Sequence, residues 1–117
     1  MPRETRQIAL SADELLQAIH SYRRMQPNFL PHGPILRTSF ARTEELGLHL
    51  TVTVRMRYGV NEQEIEVRAQ ETDLLALLIR FCLENNVPVP RRGEKRARVI
   101  DGAAVLHIEF ATDTASA

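Results

Sequence analysis

The chain has 117 residues, of which 44% are hydrophobic and 26% are charged, and its formal net charge is zero. This length suits a single domain, and the composition is that of an ordinary globular protein rather than of a disordered chain. The balanced charge excludes a global attraction to nucleic acid or to an anionic membrane, so any such attraction must come from local clustering.

The N-terminal residues and the single cysteine indicate where the protein resides. Residues 1–7 lack the apolar core of a signal peptide, and no apolar run approaches the roughly 18 residues that span a membrane. Cys82 is the only cysteine, which excludes an internal disulfide and a cysteine-based zinc site and fits a reducing compartment. We therefore expect a cytoplasmic, bacterial protein with a flexible N-terminus over residues 1–7 and no membrane partner.

A first helix and a crossing loop are predicted after this segment. Ser11 and Glu14 have the spacing of a capping box, in which each side chain binds the backbone amide of the other. An apolar row at helical spacing follows, and Pro27 sets the latest end of the helix. Residues 27–34 contain three prolines and a glycine, so we expect an ordered loop pinned by Phe29 and Leu30.

Three strands are predicted next, at about residues 35–41, at residues 48–58 and after residue 62. The alternation of apolar and polar residues over 48–58 is unbroken, which indicates one buried face and one face in water. If residues 59–62 form a four-residue hairpin loop, Met56 opposes Ile65 on the apolar face and Arg57 opposes Glu64 on the polar face.

The second helix is predicted to start near residue 72 and to end near residue 86. Its apolar side chains cover most of the circumference, with Arg80 and Glu84 as the main polar wedge. Because one sheet face cannot cover so much apolar surface, either the first helix or a second copy of the protein must cover the rest, and we predict a homodimer. The predicted partner or dimer contacts are Leu75, Ile79 and Leu83 on this helix, together with Phe29 and Leu30, which could form an exposed docking patch instead of anchoring the crossing loop in the core.

Two final strands are predicted on either side of Asp101 and Gly102, a residue pair typical of hairpin turns. Residues 112–117 are expected to be a disordered tail. The predicted fold is α+β, with an antiparallel sheet of about five strands and two helices packed on one face, in the order α-β-β-β-α-β-β. Residues 8–111 would form a single domain.

The segment 91–98 carries the only concentrated charge in the chain, with five basic residues and one acidic residue. Pro88 and Pro90 precede it and reduce the entropy that the chain would lose on docking. It could bind phosphates, nucleic acid or an acidic partner surface, or it could be a solvated loop whose arginines pair with Glu71, Asp73 or Glu84. The candidate binding residues are Arg91, Arg92, Lys95, Arg96 and Arg98.

No catalytic residue, metal site or cofactor is predicted, because the chain has no nucleophile motif, no phosphate-binding glycine loop and no local metal-ligand spacing. An enzyme whose site is assembled by folding from His32, His49 or His107 remains a third hypothesis. The leading hypothesis is a small non-enzymatic interaction or regulatory domain that forms a homodimer. The alternative is an anion-binding or nucleic-acid-binding module that uses residues 91–98.

Overall fold

The computed structural model describes residues 2–111 and has an α+β fold with two helices and six strands. The predicted disordered tail, residues 112–117, lies outside the described residues. In chain order the elements are β1 (Arg3–Leu10), α1 (Ala12–Met25), β2 (Ile35–Thr43), β3 (Gly47–Tyr58), β4 (Asn61–Gln70), α2 (Glu71–Glu84), β5 (Glu94–Ile100) and β6 (Ala103–Ala111).

The strands form two antiparallel three-stranded sheets, with the orders β1-β6-β5 and β2-β3-β4. The prediction of one sheet of about five strands was therefore wrong in the number of sheets and in the number of strands. The added strand is β1, which contains residues 3–7 of the segment that was expected to be flexible. It pairs along its whole length with β6, from Arg3 opposite Ala111 to Leu10 opposite Ala104.

The hairpin between β3 and β4 has a shorter turn than the sequence suggested. Gly59 and Val60 form a two-residue turn between the paired residues Tyr58 and Asn61. Gly59 has a φ of 64°, and a positive φ at the first turn position is the reason that glycine is favoured there. The register is therefore shifted by two residues, so that Met56 opposes Gln63. A shift of two residues leaves every side chain on its predicted face.

The sequence predicted that the polar face of β3 would be exposed to water, but only part of this face is exposed. His49 and Thr53 are each only 2% exposed, whereas Arg55 and Arg57 are exposed. The central strand of a three-stranded sheet has neighbours on both sides, and His49 lies directly between Ala41 and Gln70. Water therefore reaches mainly the half of this face that carries Arg55 and Arg57.

One continuous hydrophobic core joins both helices to both sheets. The second sheet allows α2 to bury more of its circumference than a single sheet would, since α2 contacts strands of each sheet. The largest fully buried side chains include Ile19 in α1, Leu50, Val52 and Val54 in β3, Leu74, Leu77 and Leu78 in α2, and Leu106 and Ile108 in β6.

The start of α1 confirms the predicted capping box. Glu14 donates its backbone N–H to Ser11 Oγ at 3.1 Å, and Ser11 donates its backbone N–H to Glu14 Oε1 at 2.9 Å. After the helix, the crossing loop is attached to the body by an edge-to-face contact between Tyr22 and Phe29, whose ring centroids are 4.9 Å apart. Leu30 enters the core and is 3% exposed.

Candidate functional site

The polar side of α2 faces α1. Asp73 Oδ1 accepts a hydrogen bond from Tyr22 Oη at 3.0 Å, and Glu84 accepts one from the Ser21 hydroxyl. Arg80 Nε donates to Ser21 Oγ at 3.2 Å, and its guanidinium also pairs with Glu84 at 3.4 Å. The predicted polar wedge is therefore used between the two helices.

Another side of α2 carries an apolar row, which we call the α2 row: Leu75, Ile79 and Leu83. Leu75 and Ile79 are partly buried against the core, and Leu83 is 67% exposed. These residues are four apart, so they follow one stripe along the helix. A surface helix normally turns its polar residues to water and its apolar stripe to the core. In α2 the polar residues serve the contact with α1, and part of the apolar stripe stays accessible.

The other two predicted partner contacts lie elsewhere. Leu30 is buried in the core, and Phe29 is partly buried beside Tyr22. The structure does not bring these residues into the α2 row, because they belong to the loop that follows α1. The accessible part of the predicted contact set therefore consists mainly of Leu83, with partial contributions from Leu75 and Ile79.

The five basic residues of the segment 91–98 do not form one patch. Arg91 and Arg92 lie in the bend before β5, whereas Arg96 and Arg98 lie on one face of β5. Lys95 lies on the other face, and its ammonium group contacts the backbone oxygen of Arg91 at 3.4 Å. The structure thus divides the predicted site into a bend with two arginines and a strand with two arginines.

The four arginines of this segment lack the ion pairs that the solvated-loop alternative required. Among residues 2–111, the guanidinium groups of Arg91, Arg92, Arg96 and Arg98 make no ion pair within 4.0 Å and no hydrogen bond. Two of the acidic residues considered as partners, Asp73 and Glu84, bind α1 instead. The positive charge of the segment is therefore available to other groups.

The bend that carries Arg91 and Arg92 is held closely against β6. Gly93 has a φ of 109°, and a Cβ at this position would lie 2.6 Å from the backbone oxygen of Glu109. Before the bend, the backbone oxygen of Pro88 accepts a hydrogen bond from the Arg6 guanidinium in β1 at 3.3 Å. These contacts hold the chain on either side of the two arginines.

Arg96 and Arg98 stand beside a nearly buried histidine. His107 in β6 is 5% exposed and lies directly between Gln7 and Arg96. Its Nδ1 is 3.1 Å from the Gln7 amide nitrogen, and its Nε2 is 3.1 Å from Glu109 Oε1, which fits a ring that accepts from Gln7 and donates to Glu109. The sequence did not predict this network, because Gln7 lies in the unpredicted strand β1.

The carboxylate of Glu109 is stabilised in its charged form. The hydrogen bond from His107 is the main cause that lowers the pKa of Glu109, and the charges of Arg3 and Arg98 add to it. A cavity of about 80 Å³ on this face is lined by Glu94, Arg96, Arg98, His107 and Glu109. Because acidic and basic groups alternate here, this small cavity does not select one sign of charge.

The histidines do not assemble as the enzyme hypothesis supposed. His49 and His107 lie on different sheets and not on neighbouring strands, and His32 lies in the crossing loop. His49 Nδ1 is 3.3 Å from the backbone oxygen of Gly47. Over residues 2–111, no group of three or more His, Cys, Asp or Glu side chains is placed to hold a metal ion.

Cys82 is fully buried, and burial raises the pKa of its thiol above the ordinary value. Cys82 is therefore a small residue of the hydrophobic core. Within the part of the chain that the structure describes, neither helix has the length and apolar character needed to cross a membrane. A scan against protein-family models and searches of curated proteins and of solved structures found no match for this chain.

Proposed function

We propose that the protein is a small, non-enzymatic interaction domain of the bacterial cytoplasm that forms a homodimer through the α2 row. The observation that carries this proposal is the orientation of α2. Its charged residues Asp73 and Glu84 contact α1, whereas the apolar Leu83 is exposed. Covering Leu83 and the accessible parts of Leu75 and Ile79 would remove apolar surface from water, which favours association.

The spacing of the α2 row suits a two-fold interface. Ile79 lies at its centre, four residues from each of the other two members. If the α2 helices of two copies pack antiparallel, Ile79 faces Ile79 of the partner subunit and Leu75 faces Leu83 of the partner subunit. The same patch then serves both copies, as an isologous interface requires.

The oligomeric mass tests this proposal. We expect light scattering coupled to size-exclusion chromatography to give a dimer for the wild type and a monomer for Leu83→Glu, because two introduced carboxylates would enter an apolar interface. Val60→Glu is the matched control, since Val60 is 99% exposed at the β3–β4 turn and lies outside the α2 row. A wild-type monomer at high concentration, or a dimer in both variants, would refute this interface.

The second candidate function is the binding of anions or nucleic acid by the segment 91–98. The observation that favours it is the absence, within residues 2–111, of ion pairs to four of its arginines. A further support is the close packing of the bend at Gly93, which reduces the freedom that the segment would lose on binding.

Fluorescence anisotropy with labelled single-stranded and duplex oligonucleotides at two salt concentrations tests the second candidate. We expect binding that weakens as salt rises and that is lost when Arg91, Arg92, Arg96 and Arg98 are replaced together by alanine. A wild-type protein that binds no anionic probe at low salt would exclude this function.

A further inference from the structure

The two sheets leave four strands with an edge that no other described strand pairs: β1, β2, β4 and β5. An edge strand presents unpaired backbone N–H and C=O groups, to which another extended chain can bind. The side chains next to the edge then determine which extended chains can bind there. The four edge strands differ in how many of their charged side chains already form ion pairs within the protein.

Two of the four charged residues of β4, Glu62 and Glu64, are paired within their sheet. Glu64 pairs with Arg37 at 3.0 Å, and Glu62 pairs with Arg57 at 2.9 Å. In β5, by contrast, Arg96 and Arg98 have no ion pair within 4.0 Å. Among the edge strands, β5 is therefore the one that carries two arginines without an ion pair on a single face.

The two arginines are two residues apart, so they project from the same face of β5. In an extended chain paired with β5, side chains at alternate positions lie on that same face and directly opposite these arginines. We propose that the outer edge of β5 binds an acidic, extended segment of a protein partner by strand addition, with carboxylates at alternate positions facing Arg96 and Arg98. This inference rests on the second candidate function and names its ligand.

Two other occupants are less well matched to this edge. A second copy of β5 paired antiparallel in full register would place Arg96 opposite Arg98 of the partner subunit, which is unfavourable across paired strands. Nucleic acid could neutralise the arginines but cannot continue the backbone hydrogen bonding of a sheet. The face that carries Arg96 and Arg98 also offers no exposed aromatic ring on which a base could stack, since its neighbours in β6 are Val105, Glu109 and the nearly buried His107.

The test uses a fluorescent peptide of about eight residues, a usual strand length, with glutamate at every second position and threonine between. Two further versions carry backbone N-methyl groups, one on all glutamates and the other on all threonines. N-methylation removes hydrogen-bond donors from one edge of the extended peptide without changing its charge. We expect the parent peptide to bind the full-length protein, and one methylated version to lose at least about tenfold in affinity while the other binds like the parent.

A charge-matched pair of protein variants locates the site. Arg96→Gln/Arg98→Gln should weaken binding of the parent peptide by about tenfold, because two charge-assisted contacts are lost. Arg24→Gln/Arg42→Gln removes the same charge from exposed positions on α1 and β2 and should bind like the wild type. Amide hydrogen exchange over β5 should slow when the parent peptide is bound, and this slowing should be absent with the weaker methylated version.

The outcomes separate strand addition from anion binding in general. If the parent and both methylated peptides bind equally and salt-sensitively, strand addition is refuted and the anion-binding function stands. If an oligonucleotide of equal charge displaces the peptide and protects no β5 amide, nucleic acid is the ligand and the acidic segment is refuted. If no probe binds at low salt, both proposals fail.

Discussion

At Gly93 the backbone conformation and the space around it allow only glycine. Its φ of 109° is strained for any side chain, and a Cβ would lie 2.6 Å from the Glu109 carbonyl oxygen and 2.9 Å from the Phe110 Cβ. We expect Gly93→Ala to lower the free energy of unfolding by about 2–4 kcal/mol, because the bend must move away from β6. Urea denaturation of the wild type and the variant measures this change.

Gly47 provides the control for the steric part of this effect. It also has a positive φ, of 63°, but a Cβ there would meet no atom within 4 Å. Gly47→Ala should therefore cost only the conformational strain of about 1–2 kcal/mol. An equal or larger loss in Gly47→Ala would show that close packing at Gly93 is unimportant.

Glu109 should make the stability of the fold depend on pH. The hydrogen bond from His107 lowers the pKa of Glu109, so its charged form is favoured in the folded state. The resulting stabilisation is present above the unfolded pKa of about 4.3 and is lost as the pH falls through the lower folded pKa. We expect Glu109→Gln to be less stable than the wild type at about pH 6, with the difference disappearing at strongly acid pH.

Denaturant titrations of both proteins between about pH 2.5 and pH 6.5 measure this dependence. Glu45→Gln, a replacement of an exposed carboxylate in the turn between β2 and β3, is the control and should follow the wild-type curve. If Glu109→Gln runs parallel to the wild type at every pH, the contact between His107 and Glu109 does not stabilise the charged carboxylate.

Among the elements, those with a local signal could be predicted from the sequence. The capping box placed the start of α1, and the apolar alternation placed β3, because both signals depend on residues close together in the chain. The division of α2 into a wide apolar surface and a narrow polar wedge could also be predicted. The direction of its polar wedge could not, since that depends on where α1 docks.

Strand β1 could not be predicted, because most of its side chains are polar and exposed. Only Ile8 and Leu10 carry an apolar alternation, at the end of the strand. The strand is stabilised by pairing with β6, about a hundred residues later in the chain. The residues close to β1 in sequence therefore give no signal that a strand forms there. The network of Gln7, His107 and Glu109 was missed for the same reason.

The contact between α1 and α2 should depend on the hydrogen bond from Tyr22 to Asp73. Tyr22→Phe keeps the ring against Phe29 but removes the donor, so we expect a loss of about 0.5–1.5 kcal/mol in the free energy of unfolding at neutral pH. Thermal and urea denaturation measure the loss. Tyr58→Phe is the control, since Tyr58 is exposed at the β3–β4 turn and should be nearly neutral.

The same tyrosine predicts behaviour at alkaline pH. Burial, followed by the hydrogen bond to Asp73 and its charge, raises the pKa of Tyr22. Stability that arises from a raised pKa is fully present below the unfolded value of about 10 and is lost as the pH rises through the folded value. The wild type should therefore lose its advantage over Tyr22→Phe above about pH 10, and a constant difference would contradict this assignment.

The whole molecule is elongated, with principal extents of 66 × 32 × 22 Å and a radius of gyration of 16.6 Å. A compact domain of this length has a radius of gyration of about 13 Å. The β3–β4 hairpin contributes exposed apolar residues, Tyr58 and Val60, at its turn. An elongated chain has more surface relative to its core than a sphere, so burying the α2 row between two copies would add to a comparatively small core.

This argument predicts that thermal stability depends on protein concentration. If two copies associate through the α2 row only when folded, mass action stabilises the native state as the concentration rises. We expect the unfolding midpoint of the wild type to increase over a hundredfold range of concentration, and that of Leu83→Glu to stay constant. Leu83 is 67% exposed in a single copy, so its replacement should leave the fold of the monomer intact. A wild-type midpoint that does not change with concentration, together with a monomeric mass, would mean that the α2 row is an exposed surface of a monomer.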